Sequence, residues 1–217
     1  MFIETLQYLP IDQDPIVLLL TEATLLIMMH DKLSEYIESD YICTTSGNRI
    51  SRKSTVVNAK ALEVPSGRVT ILHGVTLRSD LAKILINKYT YINENTIIRP
   101  PYQIIMKESA NDVNPVSLKF IPLTIGSHTY IGKNCVVEAA VIGLGVYIED
   151  DVIISKRCVL KDFVLIKKGS VIPPDMVIPP MVIVEGNPAS IIGERCESIT
   201  TTAINDAVLL YKSFIKK

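Results

Sequence analysis

Residues 142–184 read IGLGVY-IEDDVI-ISKRCV-LKDFVL-IKKGSV-IPPDMV-IPPMVI-V, with an aliphatic residue opening every group of six. Ile142, Ile148, Ile154, Leu160, Ile166, Ile172, Ile178 and Val184 hold that register without a break. An α-helix repeats at about 3.6 residues and a strand at about 2, so neither sustains such a period. A short fixed period marks a stacked β-solenoid, whose turns bury their apolar residues against their neighbours. Function must then lie on the outer faces, the corners and the loops.

The same hexapeptide appears upstream as INKYTY and INENTI (86–97) and as IGSHTY and IGKNCV (125–136). Its fifth position is small or β-branched: Thr90, Thr96, Thr129, Cys135, Val146, Val152, Cys158, Val164 and Ser170, with Met176 the bulky exception. Positions 5 and 1 lie two apart on a strand and share its inner face. A large aliphatic beside a small residue fits a narrow triangular lumen. Positions 2 to 4 make the corner, which accounts for Gly126, Gly132, Gly143, Asn93, Asn95 and the Pro173-Pro174 and Pro179-Pro180 pairs. Three hexapeptides close a coil of about 18 residues, stacked about 4.8 Å from the next.

Val69, Val75 and Leu81 read as an extension of the aliphatic register. One residue slips before Ile86, and another between Val137 and Ile142. Residues 34–68 suggest one or two opening coils. The polar, Pro-containing interval 99–122 breaks the repeat and reads as a long loop extruded from one corner. Beyond Gly186-Asn187-Pro188, Ile204, Val208, Tyr211 and Ile215 predict an amphipathic helix over 201–216, capped by Thr200 or Thr201. The expected organisation is an N-terminal extension (1–33) of unassigned role, a β-helix (34–190) and a C-terminal segment (191–217). The apolar stretch 16–29 is too short and too interrupted by Thr21 and Glu22 to cross a bilayer of about 30 Å. It reads as a helix or strand docked on the body, or as an unstructured extension.

Position 6 points outward, and every third hexapeptide returns to the same face, so Tyr147, Leu165 and Ile183 stack in one row. A face this apolar needs a cover. The C-terminal helix can cover one face, and the others argue for a partner subunit. A net charge of −1 gives no basic face for nucleic acid. Cys43, Cys135, Cys158 and Cys196 form no metal-binding pair, and Cys135 and Cys158 fall in the small inner slot as buried thiols.

Residues 77–102, 120–143, 154–162 (ISKRCVLKD) and 171–189 resemble the dynactin subunit 5 family of hexapeptide proteins. Arg99-Pro100-Pro101-Tyr102, the return Phe120-Ile121-Pro122-Leu123 and Arg157-Cys158-Val159-Leu160-Lys161-Asp162 carry that resemblance beyond the generic repeat. It implies an all-β fold, a left-handed parallel β-helix, with a C-terminal helix and one extruded loop. It further implies a non-catalytic subunit at the pointed end of the actin-related filament, cytoplasmic and cytoskeleton-associated, supporting dynein-driven transport along microtubules. The implied partners are dynactin subunit 6, the pointed-end actin-related protein, other pointed-end subunits and cargo adaptors. Arg78-Ser79-Asp80 stands where such families usually carry Arg-Gly-Asp.

The related γ-class carbonic anhydrases hold zinc through three histidines, whose slots here fall on Arg99, Lys133 and Glu138. None of these replaces a neutral imidazole, so no metal, cofactor or enzymatic activity is expected. Glu149-Asp150-Asp151 reads as a solvated acidic rim. The alternative function is a homotrimeric, coenzyme-A-dependent hexapeptide acyltransferase, and a degenerate carbonic-anhydrase-like scaffold is a third. Acyl transfer needs a general base, usually His. His30 lies in the extension, His128 reads as a solvated corner and His73 as a base without a partner. Expected protein contacts are Arg99, Tyr102, Lys119 and Phe120 on the loop, and Tyr147, Leu165 and Ile183 on one face.

Overall fold

A computed structural model describes residues 38–106 and 116–214. The extension 1–33, with its 16–29 stretch and His30, and also Ile215 and the centre of the 99–122 interval, lie outside the described residues.

The chain winds as a three-sided, left-handed parallel β-helix. Face A stacks Arg49–Ser51, Thr70–Ile71, Tyr91–Ile92, Tyr130–Ile131, Tyr147–Ile148, Leu165–Ile166 and Val182–Gly186. Antiparallel strands Tyr41–Cys43 and Ala189–Glu194 close its two ends. Face B stacks Thr55–Val57, Thr76–Arg78, Ile97–Ile98, Val136–Val137, Ile153–Ile154 and Val171–Ile172. Face C stacks Leu62–Glu63, Ile84–Ile86, Leu123–Ile125, Val141–Ile142, Val159–Leu160 and Val177–Ile178.

The inner rows are continuous ladders of buried aliphatics, such as Ile71, Ile92, Ile131, Ile148, Ile166 and Val184 on face A. Each such side chain contributes roughly 2 kcal/mol of burial. Small polar residues survive among them because each bonds a corner. The Thr96 hydroxyl donates to the Gly132 carbonyl at 2.7 Å, and the Cys135 and Cys158 thiols reach the carbonyls of Glu149 and Pro173. Burial pushes the Cys135 thiol up to about 12, so it stays protonated and inert.

One backbone rule joins the coils. Positions 6 and 2 donate forward: Tyr130 N–H to the Val146 carbonyl at 3.0 Å, Gly132 N–H to Ile148 at 2.9 Å. Position 4 donates backward, as Asn134 N–H does to Glu94 at 3.0 Å. That reversal needs a left-handed residue, and His128, Asn134, Asp151, Arg157, Phe163, Asp175 and Met181 all have φ near +60°. The conformation costs about 1 kcal/mol per non-Gly residue, and the backward bond offsets it. Gly126, Gly132 and Gly143 stand at position 2 for a different reason, close approach. A Cβ on Gly126 would stand 2.2 Å from the Gly143 carbonyl oxygen of the next coil.

In the early coils Ile71 and Leu77 fill the large slot, while Val69 and Val75 take the small one and Leu81 sits half-buried in a turn. These coils are longer than 18 residues: Ile71 pairs with Ile92, 21 positions on. The slip after Val137 is real, since Ile125 pairs with Ile142, 17 on, and Ile142 with Leu160, 18 on. Residues 34–68 contribute one opening coil among the described residues. Helix α1 spans Ile199–Ser213, two residues earlier than expected; Thr200 and Thr201 lie inside it, and Thr200 bonds the Glu197 carbonyl. Its buried residues are Ile199 and Leu210, followed by Phe214, while Ile204, Val208 and Tyr211 flank them half-buried.

Candidate interaction surfaces

Helix α1 seats on face A. Phe214 meets Tyr41 and Tyr91 edge-on at 5.3 and 6.0 Å, and Arg49 lies 3.8 Å from the Tyr211 ring centre. The Arg49 guanidinium donates to the Tyr211 carbonyl at 2.7 Å, and the Tyr211 hydroxyl to Gly47 at 2.8 Å. Below run three stacked rings, Tyr91, Tyr130 and Tyr147, with Tyr130 and Tyr147 4.6 Å apart and nearly parallel. Burial, followed by lesser pushes from Tyr130, Glu149, Asp150 and Asp206, raises the Tyr147 phenol well above its ordinary range. Tyr130 is pushed up to about 12, chiefly by burial. Asp206 to Phe214 rises about 12 Å along a helix. The two coils from Tyr147 to Tyr91 span about 10 Å, so the helix follows the stack.

The row Tyr147–Leu165–Ile183 forms as expected. It belongs to face A, where Leu165 is 7% exposed and Tyr147 half-buried. Helix α1 reaches the Tyr91 to Tyr147 part of this face, and Ile183 pairs with Gly193 of the returning strand.

Faces B and C are different. Ile97 and Ile153 stay exposed on B, Val141 and Val177 on C. Between them the described part of the 99–122 interval forms a two-stranded hairpin ribbon rather than a loop, Tyr102–Met106 pairing antiparallel with Val116–Phe120. Alternation places Tyr102, Ile104 and Met106 on one side with Phe120 and Leu118. The Tyr102 and Phe120 rings pack at 6.0 Å at the base. Outward from there Ile104, Leu118 and Met106 are 53%, 56% and 78% exposed. Lys119 projects from the opposite side with Gln103. A lone two-stranded ribbon with an apolar exposed side is marginal in water.

The prism anchors the hairpin by charge. Lys156 Nζ lies 4.5 Å from the Tyr102 ring centre, and Arg157 donates to the Tyr102 carbonyl at 2.8 Å. Asp175 holds Arg157 with two hydrogen bonds, which lower the Asp175 carboxyl below its usual range. A cleft of about 250 Å³ opens beside this joint, lined by Tyr102, Val136, Glu138, Ile153 and Lys156 among others. Sequence reasoning missed the anchor, although Lys156 and Arg157 stand in a stretch it singled out. Their pairing to Tyr102 spans more than fifty positions, which no local pattern reports.

Arg99 and Glu138, two of the slots zinc ligands occupy in the anhydrases, form an ion pair at 2.9 Å. Lys133 instead bonds Glu94 at 3.0 Å. His73 does have a carboxylate neighbour, with Nδ1 3.7 Å from Glu94. His128 is not simply solvated: it stacks on Tyr89 at 5.2 Å, and its Nδ1 is buried without a hydrogen-bond partner. The acidic triplet is knitted to neighbouring coils. Asp150 accepts the Lys133 N–H, Glu149 the Lys168 N–H, and Asp151 the Asn134 amide.

These features define a hexapeptide-repeat β-helix of the left-handed type with a helix-covered face and an anchored hairpin. A hexapeptide transferase family protein from Anaplasma phagocytophilum shares the fold, with a TM-score of 0.51 at 18% identity over 74% of this chain and 90% of that one. A putative acetyltransferase from Bacillus cereus superposes with a TM-score of 0.49 at 13% identity over 77% and 90%. The chain belongs to the dynactin subunit 5 family, which it matches over residues 29–217. Dynactin subunit 5 of Dictyostelium discoideum is 36% identical over 110 residues, 50% of each protein, so the match spans about half the length of that relative.

Proposed function

We propose that this chain is a non-catalytic structural subunit of dynactin in the cytoplasm. It sits at the pointed end of the actin-related filament, beside dynactin subunit 6 and the pointed-end actin-related protein. There it helps present cargo adaptors for dynein-driven movement along microtubules. Membership of the dynactin subunit 5 family supports this placement. The observation that carries the role is the hairpin: an apolar side exposed in the monomer, held at a fixed angle by Lys156 and Arg157. A rigid ribbon loses little conformational entropy on docking, so its apolar area converts efficiently into affinity. On this reading Tyr102, Phe120, Ile104 and Leu118 meet a protein neighbour, with Arg99 and Lys119 at the rim.

Acyl transfer is the second reading, favoured by one contact, His73 beside Glu94. A single experiment separates the two. Tagged chain is purified from cells, its co-purifying proteins identified and its binding of coenzyme A measured. The structural reading expects dynactin subunits in the wild-type eluate and their loss with Ile104→Asp/Leu118→Asp. A homotrimer that binds coenzyme A and brings down no cytoskeletal subunit overturns it.

A further inference from the structure

The forward-donor rule has a telling exception. Position 2 donates to the next coil wherever one follows: Gly126 to Ile142, Gly143 to Leu160, Glu149 to Ile166, Ser155 to Ile172, Lys161 to Ile178, Lys167 to Val184. On faces B and C the last strands are Val171–Ile172 and Val177–Ile178. The position-2 residues that follow them are Pro173 and Pro179, which have no N–H. Of the four donors that would continue these two faces, only those of Val171 and Val177 exist. Face A ends differently, on the antiparallel strand Ala189–Glu194.

The opposite end is the complement. Among the described residues faces B and C begin with Thr55–Val57 and Leu62–Glu63, and by the same rule an earlier coil would donate to the carbonyls of Ser54 and Val56 on B and of Leu62 and Val64 on C. A donor end and an acceptor end on one molecule invite head-to-tail addition, which does not close and grows into filaments. We propose that Pro173 and Pro179 terminate the solenoid by withholding the ladder donors that a second copy of this chain would need to stack on its C-terminal end. The neighbouring Pro174 and Pro180 occupy position 3, whose N–H elsewhere turns to side chains, as Lys133 does to Asp150 and Leu144 to Asp162. They stiffen the corner and play no part in termination.

The test is sedimentation velocity on the full chain over a range of concentrations. Pro173→Ala/Pro179→Ala restores two donors and is expected to raise the weight-average mass at least about twofold as concentration increases. Hydrogen exchange should then show protected amides at 173 and 179. Pro174→Ala/Pro180→Ala, altering the same corners without adding ladder donors, should keep the parent's mass. Termination by proline is overturned if the first variant keeps the parent's mass with unchanged circular dichroism, or if the control associates equally. Should the double variant lose its β signal, Pro173→Ala and Pro179→Ala singly, each adding one donor, decide by the same criterion.

Discussion

Face A and faces B and C are built from one hexapeptide and share the same aliphatic inner rows, yet they treat position 6 in opposite ways. On face A that position carries Tyr91, Tyr130, Tyr147 and Leu165, and helix α1 lies along the row. On B and C it carries Ile97, Ile153, Val141 and Val177, all exposed, with Ile153 lining the cleft beside Tyr102 of the hairpin. The lumen thus specifies the fold and the outer row specifies the neighbour. Large rings make a broad seat for the chain's own helix, and modest aliphatics leave a flat surface for something else.

The most forceful way to break this contrast is to unseat the helix. Phe214, 2% exposed, packs on two tyrosines from different coils. Phe214→Ala is expected to cost about 3 kcal/mol in urea unfolding. Fluorescence should show the Tyr91–Tyr130–Tyr147 stack gaining exposure to quenchers before the solenoid unfolds. A loss below about 0.5 kcal/mol would mean the helix is an ornament and face A is open in solution.

A smaller effect sharpens the contrast within one type of position. Leu165 and Val177 both occupy position 6, but Leu165 is buried under cover and Val177 is 59% exposed. Leu165→Ala should cost about 2 kcal/mol, whereas Val177→Ala should stay within about 0.5 kcal/mol in the isolated chain. Equal losses would show that both faces are packed alike.

The same contrast explains what was legible in the sequence. The lumen was, because a fixed period couples each side chain to the one six positions on. The hairpin announced itself only as an interruption, since its alternation of Tyr102, Ile104 and Met106 is too short to outweigh Pro100, Pro101 and the polar stretch after it. Which face the helix covers was not legible at all. That choice rests on Arg49 meeting Tyr211 and Phe214 meeting Tyr91, contacts more than 120 positions apart. In the early coils the sequence leaves the register open, because Val fits both the large and the small slot. Only pairing with Ile92 and Ile98 decides between them.

The smallest expected effect concerns the corner between faces C and A, where His128 stacks on Tyr89 and Tyr89 in turn meets Tyr211 of the helix edge-on at 5.6 Å. Burial first, then the Lys88 charge, lowers the His128 imidazole below its ordinary value. A depressed folded value means the unfolded chain takes up the proton first, so stability is complete above the ordinary imidazole range. It declines as pH falls through about 6.5 toward the folded value. Thermal melts from pH 8 down to 5 should therefore drop by a few degrees more in the wild type than in His128→Asn, which keeps a residue suited to φ near +58° and removes the titrating ring. The ring's own titration, followed by NMR, supplies the direct reading. Should it titrate at the ordinary imidazole value, the ring is open to water and its titration makes no contribution to the pH dependence of stability.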